Sequence, residues 1–131
     1  MKLFTRFLTL TLVCLLLLVP LTSCNDVAPE GNEITVTVKV VHKDKTEKVF
    51  TIETTETTLL GALQQEKLVE GEDQMAGFYI TAVDGEVADW SVDEGWWCFT
   101  KGGEAMMTGA EATKIADGDV YEITYTVGFG S

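Results

Sequence analysis

The sequence has 131 residues, of which 9 are lysine or arginine and 21 are aspartate or glutamate, so the formal net charge is -12 at pH 7. This length suits one ordinary domain. The acidic balance argues against a nucleic-acid-binding protein, because affinity for phosphate backbones depends on clustered cations.

The first 23 residues differ in composition from the rest of the chain. Lys2 and Arg6 precede an apolar run over residues 7–19, and small residues follow before Cys24. A positive start, about 7–15 apolar residues and a cleavage site with small residues are typical of a secretory signal. The run is too short for a transmembrane helix, which needs about 20 apolar residues. Residues 1–23 are therefore predicted to be a signal peptide.

Leu21-Thr22-Ser23-Cys24 resembles the bacterial lipobox, whose invariant cysteine carries lipid and follows the cleavage point. The resemblance implies a lipoprotein held on the extracytoplasmic face of the cell membrane through Cys24. The alternatives are a plain secretory signal with an incidental cysteine and an uncleaved anchor. Residues 24–32 are then a polar tether. A chain that starts at Cys24 keeps 7 lysines, no arginine and 21 acids, which gives a net charge of −14.

Residues 33–131 are predicted to be one α+β domain that opens with a β-hairpin. Aliphatic side chains recur at every second position from Ile34 to Val40, the period of a half-buried strand. Residues 42–45 are predicted to be a polar turn, and a similar alternation resumes over residues 48–54.

The next segment is predicted to be a helix of about a dozen residues. Its leucines form one apolar stripe at helical spacing: Leu59, Leu60, Leu63 and Leu68. The side-chain oxygen of Thr57 or Thr58 can cap the first turn, and Gly71 is a typical stop signal.

Three more strands are predicted after the helix, over residues 78–83, 96–100 and 120–127. An acidic loop is expected over residues 86–94, and residues 105–108 are a candidate return arm. The order of a hairpin, one helix and further strands is that of a β-grasp-like fold, with one helix packed on a mixed or antiparallel sheet of about four to six strands.

Four short motifs follow one another in an order that resembles a known family. They are residues 58–63, residues 77–80, Gly95-Trp96-Trp97-Cys98-Phe99 and Asp117-Gly118-Asp119-Val120. They resemble bacterial surface domains related to the C-terminal domain of transcobalamin and intrinsic factor, a domain family of unknown function (DUF4430-like).

This resemblance implies a β-grasp-like binding module. In the vitamin carriers the domain is a lid that encloses cobalamin together with a helical domain, so cobalamin or a related corrinoid is one candidate ligand. Cys98, Thr100 and Lys101 stand where the family signature has other residues. Ligand contacts by those signature residues are therefore not carried over to this chain.

Few residues are suited to catalysis. His42 is the only histidine and is expected to be an exposed turn residue. Cys98 lies between two aromatic residues, where a thiol is usually a small buried hydrophobe, and a reactive thiolate would need a cationic neighbour. Five acids lie within residues 84–94, but without the ligand spacing of a calcium-binding EF-hand loop. The sequence therefore predicts no enzyme, no resident cofactor and no metal site.

Large aromatic residues cluster in the predicted fourth strand and the loop before it. Side chains alternate along a strand, so Trp96 and Cys98 share one side while Trp97 and Phe99 share the other. One side is expected to pack on the core, and the other needs a cover, which is either the acidic loop or a ligand. Two methionines nearby add an adaptable apolar surface. The candidate ligand contacts are Trp90, Trp96, Trp97, Phe99, Met106 and Met107.

The predicted function is that of a non-catalytic, membrane-anchored surface lipoprotein that binds a ligand. A corrinoid or another flat small molecule is expected on the side of the strand that carries Trp97 and Phe99, alongside a transporter or a second surface protein. The alternative is a protein–protein interaction or structural module of the cell surface with no small-molecule ligand. No nucleic-acid partner is expected.

Overall fold

Residues 32–129 are described by the computed structural model. The predicted signal peptide, the lipidation site Cys24 and the tether as far as Gly31 lie outside the described residues. Among the described helices, none is both long and apolar enough to cross a membrane.

A β-hairpin opens the fold, with β1 at Ile34–Val41 and β2 at Glu47–Thr54. Val36, Val38 and Val40 are fully buried, and the residues between them are only half-buried. This alternation confirms the predicted hairpin and its buried side.

Five strands form the main sheet, in the order β2-β1-β8-β6-β7. The added strands are β6 at Gly95–Lys101, β7 at Glu104–Ala105 and β8 at Val120–Val127. β1 and β8 are parallel, and the other neighbours are antiparallel. The predicted mixed sheet is thus confirmed.

β7 is shorter than the predicted return arm over residues 105–108. The chain leaves the sheet because the next loop bonds to the start of the helix: Leu60 N donates to Ala110 O (3.0 Å), and Leu59 N donates to Thr113 O (2.9 Å). Ala110 is buried in the core as a result.

The first helix, α1, spans Leu59–Gln65 and begins where the sequence predicts. The Thr58 hydroxyl accepts a hydrogen bond from Gly61 N (3.2 Å) and so caps the first turn. The side of the helix that faces the core carries Leu59, Leu60, Ala62 and Leu63.

α1 has 7 residues, so the predicted length of about a dozen is wrong. Lys67 adopts a left-handed backbone (φ 54°) just after the helix. Lys67 N donates to Gln64 O (3.0 Å) and Leu68 N donates to Leu63 O (2.9 Å), which is the Schellman arrangement that ends helices. Leu68 is therefore buried by the turn after the helix and not by the helix itself.

A second sheet has three strands in the order β3-β4-β5. Their bounds are β3 at Val69–Gln74, β4 at Gly77–Val83 and β5 at Glu86–Val87. Only β4 is predicted from the sequence, because residues 70–74 of β3 are all exposed and show no alternation. Gly71 lies in β3 instead of ending the helix, and a side chain at this position would collide with the Tyr79 carbonyl.

The predicted acidic loop contains β5 and a short helix, α2, at Trp90–Asp93. The Asp89 carboxylate accepts a hydrogen bond from Ser91 N (2.9 Å) at the start of α2, and Glu94 ends it with a left-handed backbone. The loop therefore holds Trp90 in a defined position beside the start of β6.

One hydrophobic core joins these elements. It lies between one side of the main sheet, α1 and the second sheet, which contributes Val69 and Val83. From β8 the core receives Tyr121, Ile123 and Tyr125.

Candidate functional site

A groove of about 290 Å³ lies between β4, β6 and the loop that follows β7, and we call it the β4–β6 groove. It is lined by residues 78–80, 96–99, 105–106 and 108–110. Four of the six predicted contacts line it: Trp96, Trp97, Phe99 and Met106. The structure does not bring Trp90 or Met107 into this groove, and Met107 is 96% exposed.

The side of β6 that carries Trp97 and Phe99 faces the core. Trp97 is only 6% exposed, and its ring lies edge-on to Tyr125 with centroids 5.3 Å apart. Its indole N–H is buried and has no hydrogen-bond partner among the described residues. The expectation that this side needs a cover from the loop or a ligand is therefore corrected for Trp97, because its register with β8 places it opposite Tyr125 among core residues. Phe99 is only partly buried and still borders the groove. Trp96 and Cys98 lie on the opposite side.

The edge of β6 provides a polar wall for the groove. β6 pairs with β8 along its whole length, but on the other edge only its last two residues pair with β7. Phe99 O accepts from Met106 N (3.1 Å) on this second edge. Alternate residues direct their peptide groups to the same edge, so the N–H and C=O of Trp97 also point away from β8. No strand within residues 32–129 pairs with this part of the edge.

The opposite wall consists of Phe78, Tyr79 and Ile80 in β4. Sequence reasoning predicts their strand but not their part in the site. β4 faces β6 through packing of the two sheets, which no local pattern encodes. The sequence gives one indication that this wall belongs to the site: residues 77–80 form one of the motifs that carry the family resemblance.

His42 is not an exposed turn residue, because its side chain is 13% exposed and lies between two carboxylates. Nδ1 is 3.0 Å from Glu86 Oε1 and Nε2 is 2.8 Å from Asp84 Oδ2. Burial lowers the pKa of His42, but the hydrogen bonds to Asp84 and Glu86 outweigh it, so the pKa is raised above its ordinary value. Both ring nitrogens must donate to complete these bonds, which favours the imidazolium.

The carboxylates around His42 are not arranged as a metal site. Asp84 and Glu86 lie at different ring nitrogens, so their oxygens and a ring nitrogen do not converge on one point. Asp84 Oδ2 is also 2.8 Å from Lys48 Nζ, and this bond is the main cause of its lowered pKa. Within residues 32–129, no group of three or more His, Cys, Asp or Glu side chains is placed to hold a metal ion.

Cys98 is half-buried on the outer side of β6, opposite Thr124. Burial raises the pKa of its thiol above the ordinary value. The neutral thiol is a poor nucleophile, since the thiolate is the reactive form.

Comparison with known proteins gives one family match and two solved structures that are similar to this chain. The sequence-family model of a domain of unknown function (DUF4430) matches residues 56–127 of this chain. A crystal structure of a candidate metal-binding protein from Ruminococcus gnavus ATCC 29149 is 45% identical, with a TM-score of 0.71, and the match covers 74% of this chain and 100% of that chain. No curated protein matches the chain.

The second structure is haptocorrin in complex with Cbi. It is 19% identical with a TM-score of 0.62, and the match covers 73% of this chain and 25% of that chain. At this identity the likeness concerns the fold alone, and this chain spans about a quarter of haptocorrin.

Proposed function

Because this chain belongs to the DUF4430 family and shares the fold of the haptocorrin and transcobalamin C-terminal domain, we propose that it is a non-catalytic ligand-binding module of a membrane-anchored surface lipoprotein. The β4–β6 groove is the proposed binding site. The observation that carries the proposal is that aromatic residues line the same groove as a stretch of the β6 edge with which no described strand pairs.

The lining of the groove suits a flat molecule with a polar margin. Phe78, Phe99 and Met106 supply apolar surface. By the alternation of strand geometry, the N–H and C=O of Trp97, on the part of the β6 edge with which no described strand pairs, offer a hydrogen-bond donor and an acceptor. Small-molecule sites combine a mostly apolar lining with a few such polar groups. A corrinoid has this character, since amide groups surround its flat ring system.

The groove is small enough that a bound ligand would need a second protein to enclose it. Its volume of about 290 Å³ is just below the range of about 300–1,000 Å³ for small-molecule sites. The proposed corrinoid or other flat ligand is thus held along one edge, and a transporter or second surface protein covers the rest. The similarity to haptocorrin, of which this fold is only a quarter, supports such an arrangement.

The chemistry of the described residues supports binding over catalysis. The one histidine, His42, is engaged at both ring nitrogens, and the Cys98 thiol has a raised pKa. Neither residue is therefore prepared to act as a base or nucleophile.

The proposal is tested by calorimetric titration of the full chain in detergent micelles with cyanocobalamin and protoporphyrin IX. Met106→Gln places a polar amide in the groove, and we expect it to weaken binding about tenfold. Met107→Gln is the matched control, because the neighbouring Met107 is exposed and does not line the groove. Absence of heat with both ligands, or equal weakening by both variants, would contradict the proposal.

A further inference from the structure

Three aromatic rings meet at the end of the main sheet where β6 begins and β8 ends. The ring of Phe129 lies 4.8 Å from that of Trp90 and 6.5 Å from that of Trp96, between centroids. Phe129 is 83% exposed and Trp90 is 40% exposed. We call these three residues the aromatic patch. Contiguous exposed apolar surface of this kind marks interaction sites.

The patch is held in place by hydrogen bonds. Gly128 N donates to Glu94 O (3.0 Å), and Gly128 O accepts from Trp96 Nε1 (2.8 Å). Both polar groups of the residue before Phe129 are therefore engaged. Asp93, the last residue of α2, is also fixed, because Tyr125 Oη donates a hydrogen bond to its Oδ2 (2.8 Å). Phe129 is thus displayed by a fixed backbone, which lowers the entropy lost when a partner binds.

A second open cavity, of about 400 Å³, adjoins the patch at Trp90. Its lining residues include the aromatic residues Tyr79 and Trp90 and the acidic residue Asp89. Aromatic faces attract cations through their quadrupole, and a carboxylate adds an ionic hydrogen bond. The cavity therefore has the chemistry of a cation site.

Two carboxylates beside the patch have no cationic partner among the described residues. Neither Asp89 nor Glu94 forms an ion pair with another residue of the range 32–129. The lysine on this side, Lys43, is bound to Asp93 at 2.6 Å. The chain after Cys24 has no arginine and an excess of acids, so complementarity selects a basic partner.

We propose that the aromatic patch and this cavity dock an arginine-bearing segment of a partner protein. The guanidinium enters the cavity beside Trp90 and Asp89, and the apolar neighbours of the arginine cover Phe129. Arginine fits better than lysine, because its planar group stacks on aromatic rings and bonds to carboxylates in a fork. Trp90 and Phe129 do not line the β4–β6 groove, so failure of this proposal leaves the proposed ligand site intact.

The test titrates the full chain in detergent micelles with a short peptide of alternating leucine and arginine. We expect binding that weakens at about 0.5 M salt, and no binding of the corresponding leucine–glutamate peptide. Phe129→Ala and Trp90→Leu are expected to weaken binding about tenfold each. Val49→Ala is the matched control, because Val49 is 63% exposed on β2 and lies outside the patch.

Melting temperatures show that each variant is folded. Equal affinity for both peptides, or unchanged affinity in Phe129→Ala, overturns the proposal. If free arginine amide binds as tightly as the peptide, the surface binds a small cation alone, and the proposed docking of a protein segment is wrong. If Phe129→Ala instead lowers adsorption to phosphatidylcholine vesicles or abolishes self-association in sedimentation, the occupant is a membrane or a second copy of this chain, and the proposal is wrong.

Discussion

His42 connects the two sheets through charge. It follows β1, whereas Asp84 and Glu86 flank the turn from β4 to β5, and each carboxylate bonds to a different ring nitrogen. The pKa of His42 is raised in the folded protein. The imidazolium therefore contributes stability that is fully present below the unfolded-state pKa of about 6.5 and is lost as the pH rises through the folded-state pKa.

We predict that the melting temperature falls as the pH is raised from about 5.5 through neutrality. His42→Gln should lower the melting temperature at the acidic end, by the equivalent of about 1–3 kcal/mol, and should flatten this pH dependence. Differential scanning calorimetry at constant ionic strength measures both effects. The lowered pKa of Asp84 acts in the opposite sense and at lower pH, since that contribution is lost as the pH falls. A variant that kept the wild-type slope across neutral pH would contradict the assignment.

The roles of His42 and Trp97 show the limit of sequence reasoning at this scale. The partners of His42 lie 42 and 44 residues away in the chain, so its local context gives only a polar turn. Alternation along β6 predicts that Trp96 and Trp97 face opposite sides, but it does not say which side is covered. Pairing with Tyr125 in β8 decides that, and strand pairing is a long-range property.

At the scale of elements, the end of α1 depends on a strained residue. Lys67 is exposed, forms no ion pair among the described residues and adopts φ 54°. Glycine accepts this conformation without steric cost, whereas other residues do not. The Schellman bonds that close the helix hold Lys67 in this position.

We predict that Lys67→Gly raises the free energy of unfolding by about 0.5–1 kcal/mol, because it removes this cost at an exposed position whose side chain forms no ion pair among the described residues. Urea unfolding followed by circular dichroism measures the change. Lys67→Ala is the control: alanine keeps the steric cost, so it should give no gain. Equal stabilisation by both variants would mean that loss of the lysine charge, and not backbone strain, is responsible.

Strands in which buried and exposed residues alternate could be predicted from the sequence, and strands without this alternation could not. β1 and β8 alternate clearly because one side of each is buried. β3 carries exposed acids on both sides and pairs with β4 only as an edge, so its sequence resembles a loop. One wall of the groove therefore belongs to a sheet whose outer strand, β3, has no strand pattern in its sequence.

At the scale of the whole molecule, the groove and the aromatic patch are separate consequences of the same topology. β6 is paired with β8 on one edge, whereas on the other edge only its last two residues pair with a described strand, β7. β4 approaches the rest of that edge, which becomes part of the groove. The start of β6 and the end of β8 lie side by side because the strands are antiparallel, which brings Trp96 close to Phe129. Trp96 borders both the groove and the patch, and Tyr79 lines both the groove and the cavity beside Trp90.

On our proposal that this chain is a surface lipoprotein, both surfaces lie outside the cell, and Cys24 in the lipobox-like sequence holds the protein at the membrane. We predict that Cys24→Ser protein, expressed in the native host, loses the mass of the acyl chains and shifts from the membrane to the soluble exported fraction or stays as an uncleaved precursor. Each buried methylene of an acyl chain contributes about 0.8 kcal/mol to membrane affinity. Loss of whole acyl chains should therefore release the mature protein from the membrane. Cys14→Ser is the control, because Cys14 lies within the predicted signal peptide and its loss should leave lipidation unchanged. A mature Cys24→Ser protein that remained on the membrane would show that another anchor holds this chain.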